Sequence, residues 1–168
     1  LKDLLTEERK QGKGYRPLSW EEIASLSATW KAAGETVVFT NGCFDCLHRG
    51  HLSSIEQTRA FCDRLVVAVN SDDFIRRHKG PSRPVQDELT RAKVLAGLEL
   101  VDAVTVFPEE PAEAVVEAVR PDVYAKEGYD LDNLPEARLV RSYGGTCRTL
   151  RRVEGCSTSA LVQRMKEA

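Results

Sequence analysis

The chain has 168 residues, of which 42% are hydrophobic, and this length and composition suit one α/β domain with a buried core. Its 24 basic and 26 acidic residues leave a net charge of −2, which argues against a nucleic-acid-binding surface. The longest apolar run, residues 65–69, is too short to span a bilayer, and no signal peptide precedes it. We therefore predict a cytoplasmic protein without a membrane partner. The first residue is leucine rather than methionine, which is expected either for a trimmed chain or for one domain of a longer fused protein.

The first 35 residues predict an N-terminal helical extension in two pieces. Residues 1–11 are charged and amphipathic. After a loop, Ser19 is suited to cap a helix that runs from residue 20 to about residue 33. The apolar residues of this helix recur at helical spacing and predict its packing face: Trp20, Ile23, Leu26 and Trp30.

From residue 36 onward, short apolar runs rich in β-branched residues alternate with helical stretches. The predicted strands are residues 36–40, 64–70, 103–107, 123–125 and 146–150. The predicted helices are residues 50–61, 87–98, 111–119, 133–143 and 158–166. Strands without polar alternation, each followed by a helix, indicate a parallel sheet that is buried on both faces. We predict a Rossmann-like, doubly wound, five-stranded α/β domain over residues 36–168, with ligands bound beyond the carboxyl ends of the strands.

The loop after the first strand carries two histidines, His48 and His51, at the predicted start of a helix. A helix N-terminus with free N–H groups is a site for anions, and the two imidazoles would add N–H donors to it. Gly42 suits a tight turn, and Gly50 would let a phosphate approach the backbone. The pattern predicts stabilisation of charge on a phosphorus centre.

Two other interpretations of this loop rest on Cys43 and Cys46, the one closely spaced pair among five cysteines. A redox pair would place its cysteines at the helix start, which the histidines occupy here. A zinc site made of both cysteines and both histidines would require a wider separation between its ligand pairs. We therefore interpret Cys43 and Cys46 as small loop residues with reduced thiols.

The string His48-Arg49-Gly50-His51 resembles the HxGH signature of the cytidylyltransferase-like nucleotidyltransferase superfamily, and residues 40–51 resemble the heptose-1-phosphate adenylyltransferases in particular. The resemblance implies that both histidines contact the triphosphate and are catalytic. It also implies a homodimer, and Mg²⁺ that is held mainly by the nucleotide phosphates rather than by protein ligands. Residues around this loop are predicted to position the nucleotide: Thr40, Asn41, Gly42, Phe44, Asp45 and Gly50.

The loop after the second strand is basic. Residues 75–84 carry five basic side chains if His78 is charged, followed by glycine and proline residues. We predict a mobile cationic flap on the ligand side of the sheet, with a solvated charged face as the alternative. The resemblance assigns to Lys79 the family's lysine that bridges acceptor and nucleotide phosphates. Arg91 matches a family arginine and is predicted to bind the acceptor, with a surface ion pair as the alternative.

The fourth strand leads into Lys126-Glu127-Gly128-Tyr129-Asp130, where heptose adenylyltransferases typically read K-G-G-D-Y. Lys126 and Tyr129 are predicted to contact the acceptor, together with Asp45 and Lys79. Glu127 stands in place of a glycine, so the sequence departs from the family pattern where the family holds its acceptor.

Residues 152–159, after the fifth strand, resemble R-T-x-G-I-S-T-[ST], a signature of cytidylyltransferases that act on glycerol phosphate and phosphocholine. Arg152 stands at the arginine of that signature and is suited to bind the β- and γ-phosphates. Gly155, Ser157 and Thr158 predict a phosphate cradle at a helix start. A plain N-cap at Ser157 or Thr158 is the alternative.

These motifs predict transfer of a nucleoside monophosphate from an NTP to a small phosphorylated or phosphonylated acceptor, with release of pyrophosphate. Arg152 and the altered residues 126–130 favour CTP with a phospho-alcohol or a small phosphonate. An example is the cytidylyltransferase domain fused to phosphoenolpyruvate mutase in fosfomycin biosynthesis, which activates 2-hydroxyethylphosphonate. The overall string favours the alternative, ATP with heptose 1-phosphate. A nucleotide-sensing or structural fusion domain is a further alternative, but it predicts loss of His48, His51 or Lys79, and all three are present.

Overall fold

A computed structural model describes residues 16–108 and 112–167. Its five strands form one parallel sheet in the order β3-β2-β1-β4-β5. The strands are β1 (Val37–Gly42), β2 (Arg64–Asn70), β3 (Ala103–Phe107), β4 (Val123–Glu127) and β5 (Thr146–Leu150). The strand order reverses between β1 and β4, so the topological switch point of the sheet lies between these two strands. The predicted Rossmann-like α/β fold is confirmed.

Helices cover both faces of this sheet. They are α1 (Trp20–Ala32), α2 (Arg49–Arg59), α3 (Asp72–Lys79), α4 (Glu88–Ala96), α5 (Glu113–Val119), α6 (Pro135–Ser142) and α7 (Thr158–Glu167), with a 3-10 turn at Leu131–Asn133. In the part of the chain that the structure describes, no helix is long and apolar enough to cross a membrane.

Alternation along the strands divides the buried side chains between two cores. Val37 and Phe39 of β1 pack with α1, α5 and α6 on one face. Val38 packs with Ile55 of α2 and Leu95 of α4 on the other face. A strand that is apolar on both faces needs helices on both sides, which explains why β1 and β2 lack polar alternation.

Helix α1 begins where the sequence predicts. The Ser19 hydroxyl accepts from the Glu22 N–H, and the Glu22 carboxylate accepts from the Ser19 N–H, which forms a capping box. Ile23 is fully buried in the core shared with α5 and α6, and Leu18 bridges Thr105 of β3. The predicted helical piece at residues 1–11 lies outside the described residues, and the domain boundary at residue 35 stays a prediction.

The predicted flap is partly helical. Residues 72–79 form α3, because the Ser71 hydroxyl accepts from the Phe74 N–H and because Phe74 and Ile75 bury the inner face of the helix. The chain then continues through an α3–α4 loop, residues 80–87, to α4. The prediction of a loop after β2 was therefore wrong for residues 72–79, which include the first half of the predicted flap of residues 75–84.

Candidate functional site

The switch point between β1 and β4 brings together polar groups from the ends of both strands. Lys126 of β4 donates from Nζ to the Asn41 carbonyl oxygen at 3.0 Å and to Asn41 Oδ1 at 2.9 Å. The Tyr124 hydroxyl donates to the same Oδ1 at 3.0 Å. The Lys126 ammonium also lies 5.2 Å from the ring centroid of Tyr129, which is exposed. Lys126 therefore fixes the Asn41 amide as well as facing the exposed aromatic ring.

His48 and His51 lie at the start of α2 with their rings stacked, 3.8 Å between centroids. His48 Nδ1 accepts from the Gly50 N–H at 3.2 Å, and His51 Nδ1 accepts from the His48 N–H at 3.4 Å. A neutral imidazole whose Nδ1 accepts a hydrogen bond carries its proton on Nε2. Both rings therefore present an Nε2–H donor, which is what contact with phosphate oxygens requires.

Both histidines are held neutral. Burial, together with the neighbouring His48 and Lys79, lowers the pKa of His51 to about 4, and the Asp45 carboxylate partly opposes this shift. Burial also lowers the pKa of His48, and the Glu127 carboxylate partly opposes this shift. Each ring thus acts as a dipolar N–H donor near neutral pH in the ligand-free protein.

The starts of α2 and α7 meet at Gly50. A Cβ at this position would lie 3.0 Å from the His48 ring and 3.1 Å from the Cys156 Cβ, so a larger residue would require these neighbours to shift by a few tenths of an ångström. Arg49 Nε donates to the Cys156 sulfur at 3.1 Å. The structure thus shows a second reason for this glycine besides the predicted approach of a phosphate.

The hydroxyl groups of Ser157 and Thr158, at the start of α7, make different contacts. Ser157 Oγ accepts from the Ala160 N–H at 3.1 Å, which makes it an N-cap, as the alternative interpretation predicted. Thr158 Oγ1 donates to the Asp45 carbonyl oxygen at 2.7 Å and so joins this turn to the loop after β1. Gly155 has a φ of +70°, a backbone conformation that favours glycine.

Asp45 is 4% exposed, and protein donors contact both of its carboxylate oxygens. Oδ2 accepts from the Val85 N–H at 2.9 Å and from Arg83 at 3.4 Å, and Oδ1 accepts from the Gln86 N–H at 3.0 Å. Burial alone would raise the pKa of Asp45, but these donors outweigh it and hold the pKa below its ordinary value. The sequence predicted ligand contacts for Asp45, whereas its carboxylate binds the α3–α4 loop.

The segment around Asp45 has an unusual backbone. The flanking residues Phe44 and Cys46 have φ angles of +49° and +47°, in the left-handed region. The Phe44 ring is buried, lies 5.5 Å from the His51 ring, and would be 3.2 Å from a Cβ at Gly42. Burial and the neighbouring Asp45 raise the pKa of the Cys46 thiol, which argues against an activated redox pair.

Arg91 is 1% exposed, so the alternative of a surface ion pair was wrong. Its guanidinium donates to the carbonyl oxygens of Cys43 at 2.6 Å, Asn70 at 2.8 Å and Gln86 at 2.9 Å. It also donates to Asp72 Oδ1 at 2.7 Å. These contacts join the ends of β1 and β2 to both sides of α3 through the buried Arg91 guanidinium, and the predicted contact of Arg91 with an acceptor stays a prediction.

Lys79 lies at the last turn of α3, exposed, and near enough to His51 to lower the pKa of that imidazole. The adjacent His78 instead stacks on Phe74 and contacts its carbonyl oxygen through Nδ1 at 2.8 Å. The positive charge of Lys79 therefore acts on His51.

Glu127 is a site residue that sequence reasoning noticed only as a departure from a family pattern. Its carboxylate accepts from the Ser54 hydroxyl of α2 and lies 3.9 Å from Arg152 Nε. It also influences the pKa of His48. Ser54 was missed, although its spacing of three residues from His51 places it on the same face of α2. Arg83 was also missed as an individual residue within the basic string.

No group of three or more histidine, cysteine or acidic side chains that could hold a metal ion occurs within residues 16–108 and 112–167. The nearby carboxylate of Asp45 is already saturated by N–H donors.

Comparison with known proteins identifies relatives of this site. The Cytidylyltransferase-like family profile matches residues 39–164. The bifunctional protein HldE of Pseudomonas entomophila is 44% identical over 161 residues, which is 95% of this chain and 34% of that protein. HldE of Azotobacter vinelandii is 44% identical over 160 residues, again 95% of this chain and 34% of the relative. This chain thus spans about a third of the length of these relatives.

A solved structure has a similar fold. It is the crystal structure of the lipopolysaccharide core biosynthesis protein from Thermoplasma volcanium, with a TM-score of 0.61 and 27% sequence identity. The match covers 71% of this chain and 98% of the other chain.

Proposed function

The chain belongs to the cytidylyltransferase-like family and is a nucleotidyltransferase, and from this premise we propose that it transfers AMP from ATP to the phosphate of a sugar phosphate, heptose 1-phosphate, with release of pyrophosphate. The observation that carries the proposal is the pair of stacked neutral histidines at the start of α2, whose Nε2–H groups are suited to hold phosphate oxygens. The similarity to the bifunctional HldE proteins supports the sequence-based alternative of ATP and a heptose phosphate rather than the main prediction of CTP and a phosphonate.

The proposed reaction is a direct in-line displacement. An acceptor phosphate oxygen forms a bond to the α-phosphorus, the bond from that phosphorus to the bridging oxygen breaks, and pyrophosphate leaves with the electron pair. The attacking oxygen is already anionic near neutral pH, so the protein has no proton to remove. Its task is to bring anions together and to stabilise the charge that develops on the phosphoryl oxygens.

The chain's own groups are suited to divide this task. The Nε2–H groups of His48 and His51 would donate to the α-phosphoryl oxygens, with the N-terminus of α2 behind them. Lys79 would place a positive charge between acceptor and nucleotide phosphates, and Arg152 would bind the β- and γ-phosphates. Mg²⁺, when bound with the nucleotide, would neutralise part of the triphosphate charge.

A second candidate is a cytidylyltransferase that acts on a small phosphonate or a phospho-alcohol. The observation that favours it is Glu127, which holds a carboxylate against Ser54 and Arg152 where heptose enzymes typically have glycine. A carboxylate at this edge of the sheet changes both the shape and the charge of the acceptor side of the site.

The test is pyrophosphate release with Mg²⁺, crossing ATP and CTP against heptose 1-phosphate, glycerol 3-phosphate and 2-hydroxyethylphosphonate. The His48→Asn/His51→Asn double variant serves as the blank. We expect the highest kcat/KM with ATP and heptose 1-phosphate. Preference for CTP with the phosphonate or with glycerol 3-phosphate would support the second candidate, and release with none of the six pairs would contradict the proposed acceptor classes.

A further inference from the structure

The segment that carries Lys79, residues 72–86, is hydrogen-bonded to Arg91 near both of its ends. At its start, Asp72 accepts from Arg91 at 2.7 Å. Beyond its end, the Gln86 carbonyl oxygen accepts from the same guanidinium at 2.9 Å. Because Arg91 is 1% exposed and also binds the carbonyl oxygens at the ends of β1 and β2, residues 72–86 form a span whose two ends cannot move independently.

A second anchor holds the end of this span. Asp45 accepts from two consecutive backbone N–H groups, those of Val85 and Gln86, and from the Arg83 side chain. Arg83 in turn reaches Ser159 Oγ at 3.4 Å, and the Asp45 carbonyl oxygen accepts from Thr158. The loop after β1, the α3–α4 loop and the start of α7 thus meet at Asp45, whose carboxylate binds the α3–α4 loop and whose backbone carbonyl oxygen binds Thr158.

Lys79 itself is exposed and lies between these anchors. A lysine on a free loop would spread its charge over several ångströms, whereas phosphoryl transfer depends on a fixed distance between cation and phosphate. Fastening both ends of the span restricts where the Lys79 Cα lies relative to the histidine pair.

We propose that Asp45 and Arg91 are positioning residues that act through Lys79, holding the residues 72–86 span at the histidine pair, and that the Asp45 carboxylate does not itself bind substrate. This inference rests on the proposed function, since Lys79 matters only if phosphates bind beside His48 and His51. It assigns to Asp45 a role different from the direct ligand contact that the sequence predicted.

A double-mutant cycle tests the dependence on Lys79. Wild type, Asp45→Asn, Lys79→Ala and the double variant are compared by kcat for pyrophosphate release. Asparagine at position 45 replaces one of the two accepting oxygens by an NH2 donor that faces an N–H group, so we expect Asp45→Asn alone to lower kcat about 10- to 100-fold, with the Kd for NTP changed less than about threefold. In the Lys79→Ala background the same change should lower kcat less than about twofold, because the group that it positions is gone. Additive losses would overturn the inference.

Trypsin provides a readout that does not depend on activity. Arg76, Arg77 and Lys79 are cleavage sites within the span, and we expect Asp45→Asn to raise the rate of cleavage there at least about tenfold in the ligand-free protein. Cleavage of Asp45→Asn at the wild-type rate would overturn the anchoring role, even if no substrate pair gives turnover and the proposed function fails.

The matched control is Asp73→Asn, the same substitution on an exposed residue of α3 whose one recorded ion pair is with Arg76 at 2.8 Å. It should leave both kcat and the cleavage rate unchanged. If Asp45→Asn is not recovered folded, Asp45→Glu keeps the charge but displaces the anchored N–H groups, and the same cycle and digestion apply to it.

Discussion

The two sides of the switch point are built differently. On the β1 side, Asp45 and Arg91 are almost fully buried, and their polar atoms bind the loop after β1 and the α3–α4 loop at hydrogen-bond distance. On the β4 and β5 side, the Arg152 side chain is 69% exposed and lies 3.9 Å from Glu127, while Tyr129 is 53% exposed. The β1 side is a closed network, whereas the β4 and β5 side presents the exposed side chains of Tyr129 and Arg152 beside the hydrogen-bonded Lys126.

This difference separates two requirements of a transferase. Charge stabilisation on a phosphoryl group needs donors fixed to within a fraction of an ångström, which a buried and fully bonded network provides. Recognition of different nucleotides and acceptors can use exposed side chains, since an exposed pair contributes little to stability and is replaced at low cost. We therefore expect substitutions on the β1 side to change kcat and substitutions on the β4 and β5 side to change KM.

The largest effect should come from the histidine pair. His48→Asn and His51→Asn remove the Nε2–H donors, while asparagine at position 48 still suits an N-cap. By analogy with the removal of an oxyanion donor, each should lower kcat about 10²- to 10³-fold with a much smaller change in the Kd for NTP. Steady-state kinetics of pyrophosphate release and calorimetric titration with NTP measure the two quantities.

His78→Ala is the control for this prediction, because His78 stacks on Phe74 and contacts its carbonyl oxygen. It should leave kcat within about twofold of wild type, as is usual for substitutions away from the chemistry. If His48→Asn or His51→Asn weakened NTP binding but left kcat unchanged, the assignment of kcat effects to the β1 side would be contradicted.

A smaller effect should follow from Arg152→Ala on the open side. If the guanidinium binds the β- and γ-phosphates, its loss should raise the KM for NTP about tenfold and change kcat little, since hydrogen bonds to charged groups contribute about 1.5–3 kcal/mol and exposure reduces that. Arg151→Ala, at the preceding exposed position, is the matched control. Equal effects of the two variants would mean that general charge rather than a specific contact matters.

The smallest predicted effect is a pH dependence of the free energy of unfolding that His51 causes. Burial holds the pKa of His51 at about 4, below its ordinary value of 6.5, so the unfolded chain binds a proton between these values while the folded chain does not. Above pH 6.5 His51 is neutral in both the folded and the unfolded chain, so it does not change the free energy of unfolding. As the pH decreases from 6.5 toward 4, only the unfolded chain binds the proton, and the free energy of unfolding falls. Compared with His51→Asn, the ligand-free wild type should lose about 1 kcal/mol more between pH 7 and pH 5. Urea denaturation at both values measures this difference, and equal losses would show that His51 titrates normally.

Some parts of the site could be predicted from local sequence. His48 and His51 at a helix start follow from a strand, a glycine-bounded loop and a helical stretch, all of which are short-range patterns. The same applies to Ser19, which caps α1 as predicted. Helix α3 was missed because its four consecutive basic residues suggested a solvated loop, although Ser71 and Phe74 carry a recognisable N-cap pattern.

Other parts depend on contacts between residues distant in the chain. An arginine on an amphipathic helix is usually exposed. Nothing near Arg91 in the sequence indicates that its guanidinium donates to three backbone carbonyl oxygens. Likewise, Asp45 meets Val85 and Gln86 across 40 residues or more, a pairing that only the packing of α3 and α4 on the sheet produces.

The sequence by itself determined the class of fold, the helix start with its two histidines and the membership of a nucleotidyltransferase family, because hydrophobic period and short motifs are local properties of the chain. The tertiary structure decided which polar side chains face a ligand and which hold the site together. The physical reason is that buried donors and acceptors must find partners, and those partners come from whichever elements the sheet brings alongside.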